Sequence, residues 1–231
     1  MLPISLSTDV IFSGYFPQIL SGAWVTIQVA CCSLVLGLIL GLLGASLESS
    51  KWRWLRYIAT SLISIIRGVP ELLVLFFIYF GGTILLTQLA GHYVNVSAFL
   101  AGVVGLALIF GSYASQVFRG AFLAIPIGQI EAARALGLNR SLIFIRIQLP
   151  QAWRHALPGL SNLWLVLLKD TALVSLIGLA DLMNKSQVAA STTHEPFVFF
   201  MTAAFLYLIM TSISQWIMGK LSANATRHLQ Q

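Results

Sequence analysis

The chain has 231 residues, of which 58% are hydrophobic and only 9% are charged. Soluble domains carry about 25% charged residues, so the composition excludes an ordinary soluble protein and indicates a polytopic membrane protein. The formal net charge is +6. It does not indicate nucleic-acid binding, because the basic residues cluster in short loops between apolar stretches. Ten of the thirteen lysines and arginines lie in the segments 51–56, 119–154 and 220–227.

Five apolar stretches are long enough to cross a hydrocarbon core of about 30 Å at a rise of about 1.5 Å per residue. They lie at 21–47, 56–80, 96–118, 157–179 and 197–218. The first contains Gly37 and Gly41, a spacing that lets two helices approach closely. No internal repeat or linker is visible, so residues 1–231 are predicted to form a single all-α transmembrane domain with about five helices.

The distribution of lysine and arginine predicts the orientation of the spans. The loops 48–56 and 119–155 and the tail after residue 218 are basic, and a count of five spans puts all three on one side. The loop 81–95 on the other side has no lysine or arginine. Because basic loops remain in the cytosol, the N-terminus is predicted to lie outside and the C-terminus in the cytosol.

The loop between the third and fourth spans is predicted to form two short helices. Its first part is rich in alanine, and Gly137 is a natural left-handed C-cap. A second helix is predicted to start near Asn139 or Ser141 and to stop before Pro150. Small alanine side chains would let a partner protein approach closely. The alternative is an ordinary cytosolic loop whose arginines touch anionic headgroups.

The same loop carries a family resemblance. The run Glu131-Ala132-Ala133, followed by Gly137 and by Leu149-Pro150, resembles the EAA loop of permease subunits of ATP-binding-cassette importers. In that family the loop forms a coupling helix that sits in a cleft of the ATPase subunit. The resemblance therefore implies a cytosolic coupling helix between spans 3 and 4. The residues that it assigns to ATPase coupling are Glu131, Ala132, Ala133, Arg134, Leu136 and Gly137.

Further segments are similar to the branch of the family that imports polar amino acids. They are Ile66–Glu71, Val117–Ala121 and Leu168–Leu179, in the order found in that branch. The details at 69–71, 153–159 and 194–197 look closest to permeases for basic amino acids, first arginine, then histidine, lysine and ornithine. The resemblance implies a multi-pass protein of the bacterial inner membrane with a periplasmic N-terminus, which forms the translocation path for a basic amino acid, L-arginine above others.

The resemblance also implies the partners. Importers of this family combine two permease subunits, two ATPase subunits and a periplasmic amino-acid-binding protein, and the relatives most like this chain use two different permeases, so a heterodimer is expected. The chain has no G-x-x-x-x-G-K-[ST] motif, and such a loop is what cradles ATP phosphates. We therefore expect no enzymatic activity and no cofactor in this chain itself, with ATP and magnesium bound by the partner ATPase.

Two other classes of function fit the sequence less well. A stand-alone ion-coupled transporter or channel is a distant alternative that gives no reason for the loop at 131–137. A membrane enzyme would need a nucleophile or metal cluster. Cys31 and Cys32 are adjacent in an apolar run, and the four histidines lack metal-ligand spacing, so no metal site is predicted.

Charged residues inside the spans suggest where substrate binds, because a charge at the bilayer centre costs about 2.5–3.5 kcal/mol on insertion scales. Pro70 lacks an N–H and biases Val69 away from the helix, so the second span is predicted to break there. Glu71 follows the break. It either faces the translocation path and attracts a cationic substrate, or pairs with Arg67 or Lys169.

Other residues in the spans complete the predicted site. Asp170 is a second substrate candidate, with pairing to Lys169 or another cation as the alternative. Asn162 and Trp164 lie about two turns earlier on the same span, and packing is the alternative role for Trp164. The residues predicted to have structural or gating roles are Arg67, Gly68, Pro70 and Lys169.

Overall fold

The computed structural model describes residues 14–226, and within that range it is helical with no β-strand. The helices are α1 (Phe16–Glu48), α2 (Arg53–Gly68), α3 (Glu71–Phe76, then a π-helical turn Phe77–Gly81, then Gly82–Ala90), α4 (Ala98–Leu123), α5 (Ile127–Ala135), α6 (Arg140–Ile143, a π-helical turn Phe144–Gln148, Leu149–Asp170 and a 3₁₀ segment Thr171–Ile177), α7 (Leu182–Thr193) and α8 (Pro196–Thr226).

Five of these helices are long and apolar enough to cross a membrane, which confirms the predicted all-α polytopic fold. They are Phe16–Glu48, Glu71–Ala90, Ala98–Leu123, Arg140–Ile177 and Pro196–Leu221. Their outward surfaces are rich in large apolar side chains, such as Val35, Leu85 and Phe205, each 57% to 61% exposed in the isolated chain. Lipid tails and partner helices are the surroundings that suit such surfaces.

The second predicted span, 56–80, differs from the structure in its limits. Helix α2 ends at Gly68, and Val69 is extended with φ −93° and ψ 139°, so the predicted break before Pro70 is confirmed. The helix of span length begins only at Glu71 and runs to Ala90, beyond the predicted end at 80. The π-helical turn carries the backbone through Gly81, and the apolar residues that follow continue the helix until Gly91, which adopts φ +71°.

The loop between the third and fourth spans, predicted at 119–155, is shorter than expected. Helix α4 continues to Leu123 and α6 begins at Arg140. The expectation that a second short helix stops before Pro150 is wrong, because α6 runs through it. The π-helical turn at Phe144–Gln148 lies directly before Leu149 and Pro150. Such wide turns absorb a missing backbone donor without ending the helix.

The chain packs as two compact units. The first comprises residues 14–33, 72–106 and 167–213, and the second comprises 34–71, 107–166 and 214–226. In the first unit a Cβ added to Gly102 would lie 2.5 Å from Val174 Cγ1, and one added to Gly105 would lie 2.6 Å from Leu75 Cδ2. These two glycines therefore let α4 approach the 3₁₀ segment of α6 and the start of α3.

The second unit contains the close helix contact that the Gly37-x-x-x-Gly41 spacing predicts. A Cβ at Gly41 would lie 2.8 Å from the Ala114 Cβ, and one at Gly37 would lie 2.7 Å from the Phe110 ring. A Cβ added to Gly111 on the facing helix would lie 3.1 Å from the backbone carbonyl oxygen of Gly37. The two glycines thus pack α1 against α4 of the same chain.

Candidate functional site

Helix α5 carries the predicted coupling residues, and its end has a defined geometry. Gly137 has φ +78°, which confirms its predicted left-handed cap. Its N–H donates to the Arg134 carbonyl at 2.9 Å, and the Leu138 N–H donates to the Ala133 carbonyl at 3.1 Å. This pair of bonds is a Schellman motif, which satisfies carbonyls that the helix end would leave open. Residues 131–137 are therefore held in one fixed turn.

The chain turns from α5 directly into α6. Asn139 is the N-cap of α6, and its Oδ1 accepts a hydrogen bond from the Leu142 N–H at 2.8 Å, as its predicted capping role requires. Gln151 Nε2 donates to Gln129 Oε1 at 2.7 Å, which ties α5 to α6 across 22 residues of sequence. This hydrogen bond holds α5 against the helix that continues as the fourth span.

The outer face of α5 is built from small and exposed side chains. Ala133 is buried, whereas Glu131, Ala132 and Arg134 are exposed. Leu136, the C-cap residue, is 81% exposed. A cavity of about 540 Å³ lies between α5 and the first turns of α6, and its lining residues are Gln129, Ala132, Ala133, Leu136, Leu138, Arg146, Ile147, Pro150, Gln151 and Arg154.

The predicted substrate residue Glu71 is the first residue of α3. It is half-buried, and the positive end of the α3 dipole lies beside its carboxylate. Arg67 does not pair with it. The broken backbone removes the helical i, i+4 geometry, and the Arg67 guanidinium instead lies 5.2 Å from the centre of the Tyr113 ring. Glu71 and Arg67 therefore form no ion pair among the described residues, whereas substrate contact and pairing with Lys169 stay predictions.

The other predicted substrate residues lie on one continuous stretch of α6. Asn162 and Lys169 are exposed, and they are seven residues apart on the same helix face. Trp164 faces the opposite way and is only 8% exposed, which supports the packing alternative for this side chain. Asp170 is half-buried at the end of the α-helical part, where the 3₁₀ segment begins.

Lys169 opens onto a second cavity, of about 410 Å³, with an otherwise largely apolar lining. Its lining residues are Lys169, Ala172, Met183, Phe200, Ala203, Ala204 and Tyr207. The Tyr207 hydroxyl lies 3.5 Å from the Thr171 Oγ1, and Thr171 is itself buried. The cavity therefore has one cation and one half-buried pair of hydroxyls at its edge.

Two buried carboxylates were missed by the sequence reasoning. Glu48, at the end of α1, is 2% exposed, and both its oxygens accept from Gln116 Nε2 at 3.0 and 2.9 Å. Asp181 is 1% exposed and caps α7, with Oδ1 accepting from the Asn184 N–H at 2.9 Å. Burial raises the pKa of the Asp181 carboxyl to about 6, against backbone N–H groups that lower it.

The burial of neither carboxylate could be read from the sequence. The partner of Glu48 lies 68 residues away in sequence, and a single Glu after an apolar run is typical of a span boundary. Asp181 followed by Leu-Met-Asn is a possible N-cap signal. Within residues 14–226, no group of three or more His, Cys, Asp or Glu side chains is placed to hold a metal ion.

Within the described residues, five membrane-length helices and an exposed, alanine-rich helix between the third and fourth of them define a polytopic membrane protein. The chain belongs to the family described as binding-protein-dependent transport system inner membrane component, whose model matches residues 33–226. It is therefore a permease subunit of an ATP-binding-cassette importer and a multi-pass protein of the inner membrane, as the EAA-loop resemblance predicted.

Individual proteins match over nearly the whole chain. The arginine ABC transporter permease protein ArtQ of Escherichia coli (strain K12) is 46% identical over 230 residues, covering 92% of this chain and 96% of the relative. ArtQ of Haemophilus influenzae is 49% identical over 216 residues, covering 94% and 97%. The crystal structure of an amino acid ABC transporter with histidines superposes with a TM-score of 0.82 at 31% identity, covering 97% of this chain and 100% of that chain.

Proposed function

We propose that this permease carries a basic amino acid, L-arginine, across the inner membrane. The observation that carries the proposal is the full-length similarity, 46% and 49% identical, to two permeases named for arginine transport. The structure adds a half-buried glutamate, Glu71, at a helix break next to the apolar span. Broken helices within membranes are tolerated where they line a cavity.

Glu71 supplies the selectivity in this proposal. Its carboxylate has no hydrogen-bond or ion-pair partner among the described residues, and it lies at the N-terminus of α3, beside the positive end of the helix dipole. A guanidinium group matches a carboxylate in charge and in hydrogen-bonding geometry. Asn162 is exposed and can add a polar contact, and Asp170 is a second acceptor. Arg67, Gly68, Pro70 and Lys169 shape or gate the path.

Helix α5 transmits the energy of ATP hydrolysis in this proposal. Its exposed face, with Glu131, Ala132, Arg134 and Leu136, docks into a cleft of the ATPase subunit. The Schellman turn at Gly137 and the Gln129–Gln151 hydrogen bond keep α5 at a fixed angle to α6. Closure of the ATPase dimer then biases the permease between inward-open and outward-open states, a two-state equilibrium that the ligand shifts by its differential affinity.

The proposed complex follows from the family. Two ATPase subunits bind ATP and magnesium, a periplasmic binding protein delivers the substrate, and a second, distinct permease completes the membrane part as a heterodimer. The N-terminus of this chain lies in the periplasm and its C-terminus in the cytosol. This orientation places the basic loop that contains α5 on the cytosolic side, where the ATPase is.

Histidine, lysine or ornithine is the second candidate substrate. It is favoured by the structural match to an amino acid ABC transporter described with histidines. Glu71 would attract the cationic side chains of lysine and ornithine, and that of histidine when its imidazole is protonated, so charge does not separate these substrates from arginine. Competition between unlabelled amino acids separates them directly.

The test of the substrate role uses Glu71→Gln in the complete transporter, reconstituted with its partner permease, ATPase and binding protein. The matched control is Glu195→Gln, an exposed glutamate at the start of α8. We expect Glu71→Gln to lower arginine uptake about tenfold or more, since a charged hydrogen bond contributes about 1.5–3 kcal/mol. Uptake equal to the control in a correctly assembled complex would rule out the substrate role of Glu71.

A further inference from the structure

Helix α2 differs from the membrane spans because it has three distinct faces. Its buried face carries Ala59 and Ile63. A polar face follows the helical spacing through Arg53, Arg56, Thr60, Ser64 and Arg67. An apolar face carries Trp54, Ile58, Leu62 and Ile65, which are 57%, 49%, 56% and 61% exposed. One face of α2 packs on its own unit, and the other two lie open side by side.

The polar face opens onto a basic cavity at the start of α2. The cavity has a volume of about 610 Å³, and its lining residues are Arg53, Trp54, Arg56, Tyr57, Thr60 and Arg119. Three guanidinium groups from two helices therefore line it, with no acidic side chain among the lining residues. None of the three arginines has an ion-pair partner among the residues that the structure describes.

None of the three acidic residues of the same unit, Glu48, Glu71 and Glu131, lines this cavity. Both oxygens of Glu48 accept from Gln116 Nε2, and the side chain is 2% exposed. Like charges that line one cavity repel one another, and an anion between them removes that repulsion. The cavity is consequently complementary to a phosphate or carboxylate from outside the chain.

The apolar face indicates what carries that anion. It begins at Trp54, which lines the basic cavity, and continues for three turns to Ile65. Tyr57, 76% exposed, stands between the two faces, and the rings of Trp52 and Trp54 lie 6.0 Å apart. Tryptophan and tyrosine favour the level of lipid headgroups. An occupant with an anionic head and an apolar tail therefore satisfies both faces at once.

We propose that Arg53, Arg56 and Arg119 bind the phosphate of an anionic phospholipid, such as phosphatidylglycerol, with an acyl chain along Ile58, Leu62 and Ile65. Basic pockets between membrane helices are known to bind such headgroups. A free phosphate ion would fill the cavity and leave the apolar face uncovered. An acidic surface of a partner protein would match the arginines but has no chain to lay along the helix.

The test measures binding of fluorescent phosphatidylglycerol and phosphatidylcholine to the intact transporter in neutral detergent. We expect a clear preference for phosphatidylglycerol. The double variant Arg53→Gln with Arg56→Gln should weaken phosphatidylglycerol binding roughly 30-fold, because each basic residue near an anionic surface raises the affinity about fivefold. The charge-matched control is Arg140→Gln with Lys220→Gln, whose side chains are exposed elsewhere and which should bind like the wild type.

A further variant and two further measurements distinguish a bound phospholipid from the other candidate occupants of the cavity. Arg119→Gln removes the third guanidinium from a different helix, so it tests the site if the double variant fails to fold. Equal binding of both lipids, or wild-type binding by both variants, would overturn the proposal. Displacement of the lipid by millimolar inorganic phosphate would identify a phosphate site instead. Loss of co-purifying ATPase or second permease from the variants, with lipid binding unchanged, would identify a protein interface.

Discussion

Asp181 provides the sharpest physical test of the structure, because it is a buried carboxyl with one oxygen unpaired. Its Oδ1 caps α7, whereas Oδ2 has no hydrogen-bond partner among the described residues. Burial raises the pKa of this carboxyl from 3.8 to about 6. The folded state therefore holds a proton that the unfolded state releases, and stability is lost as the pH rises through the interval between these two values.

The size of the effect follows from the two pKa values. At about 1.4 kcal/mol for each pH unit between them, the ionised carboxylate costs the folded protein about 3 kcal/mol relative to the protonated form. Between about pH 4.5 and about pH 8 the wild type should lose roughly 2 kcal/mol through this group alone. Asp181→Asn removes the titration and keeps an oxygen that can accept from the Asn184 N–H.

Thermal unfolding of the transporter in detergent, followed across this pH range, measures the difference between wild type and Asp181→Asn. That difference should change by roughly 2 kcal/mol, whatever constant offset the new amide introduces. Asp181→Ala is the matched control. It also removes the titration, but it loses the cap and should be about 1 kcal/mol less stable than Asp181→Asn at every pH. A difference that stays flat with pH would refute the buried, unpaired state of Asp181.

Three other predictions follow from single contacts. Gly137→Val should strain the left-handed turn by about 1–2 kcal/mol, so ATP-driven uptake should fall while membrane insertion persists. The matched control is Gly128→Val, at an exposed helical glycine where an added Cβ would have no neighbour within 4 Å, and it should retain more uptake. Glu48→Leu should lower the unfolding temperature by leaving Gln116 Nε2 without its acceptor, at about 1–3 kcal/mol, and Glu48→Gln should recover part of that loss. Gly105→Val should destabilise the permease by about 1–3 kcal/mol in thermal unfolding, because a Cβ at this position would lie 2.6 Å from Leu75 Cδ2. Gly82→Ala, whose added Cβ has its nearest contact at 3.9 Å, should unfold like the wild type.

The parts of the fold that depend on local chemistry could be predicted from the sequence. Long apolar runs predict membrane helices because backbone groups must pair internally in lipid, and the break at Pro70 follows from its missing N–H. The Gly137 cap is equally local. The limits of the second span were missed, since Gly81-Gly82 looks like a loop start and only the backbone shows a π-helical turn there.

The parts that depend on distant contacts could not be predicted. The Glu48–Gln116 hydrogen bonds join residues 68 apart, and the burial of Asp181 depends on α1, where the Thr26 Oγ1 accepts from the Leu182 N–H at 3.1 Å. The basic cavity combines Arg53 and Arg56 with Arg119 from another helix. A sequence pattern gives the charge of each residue, but only the packing of helices shows which charges meet.

We infer that this chain forms the translocation path of an ATP-driven importer for a basic amino acid. The most direct measurement is uptake of labelled L-arginine into proteoliposomes that contain this chain, its partner permease and the ATPase, with the binding protein added. We expect uptake that requires ATP, with unlabelled arginine, lysine and histidine competing and glutamine having little effect. Arginine flux without ATP, or uptake blocked best by glutamine, would contradict it.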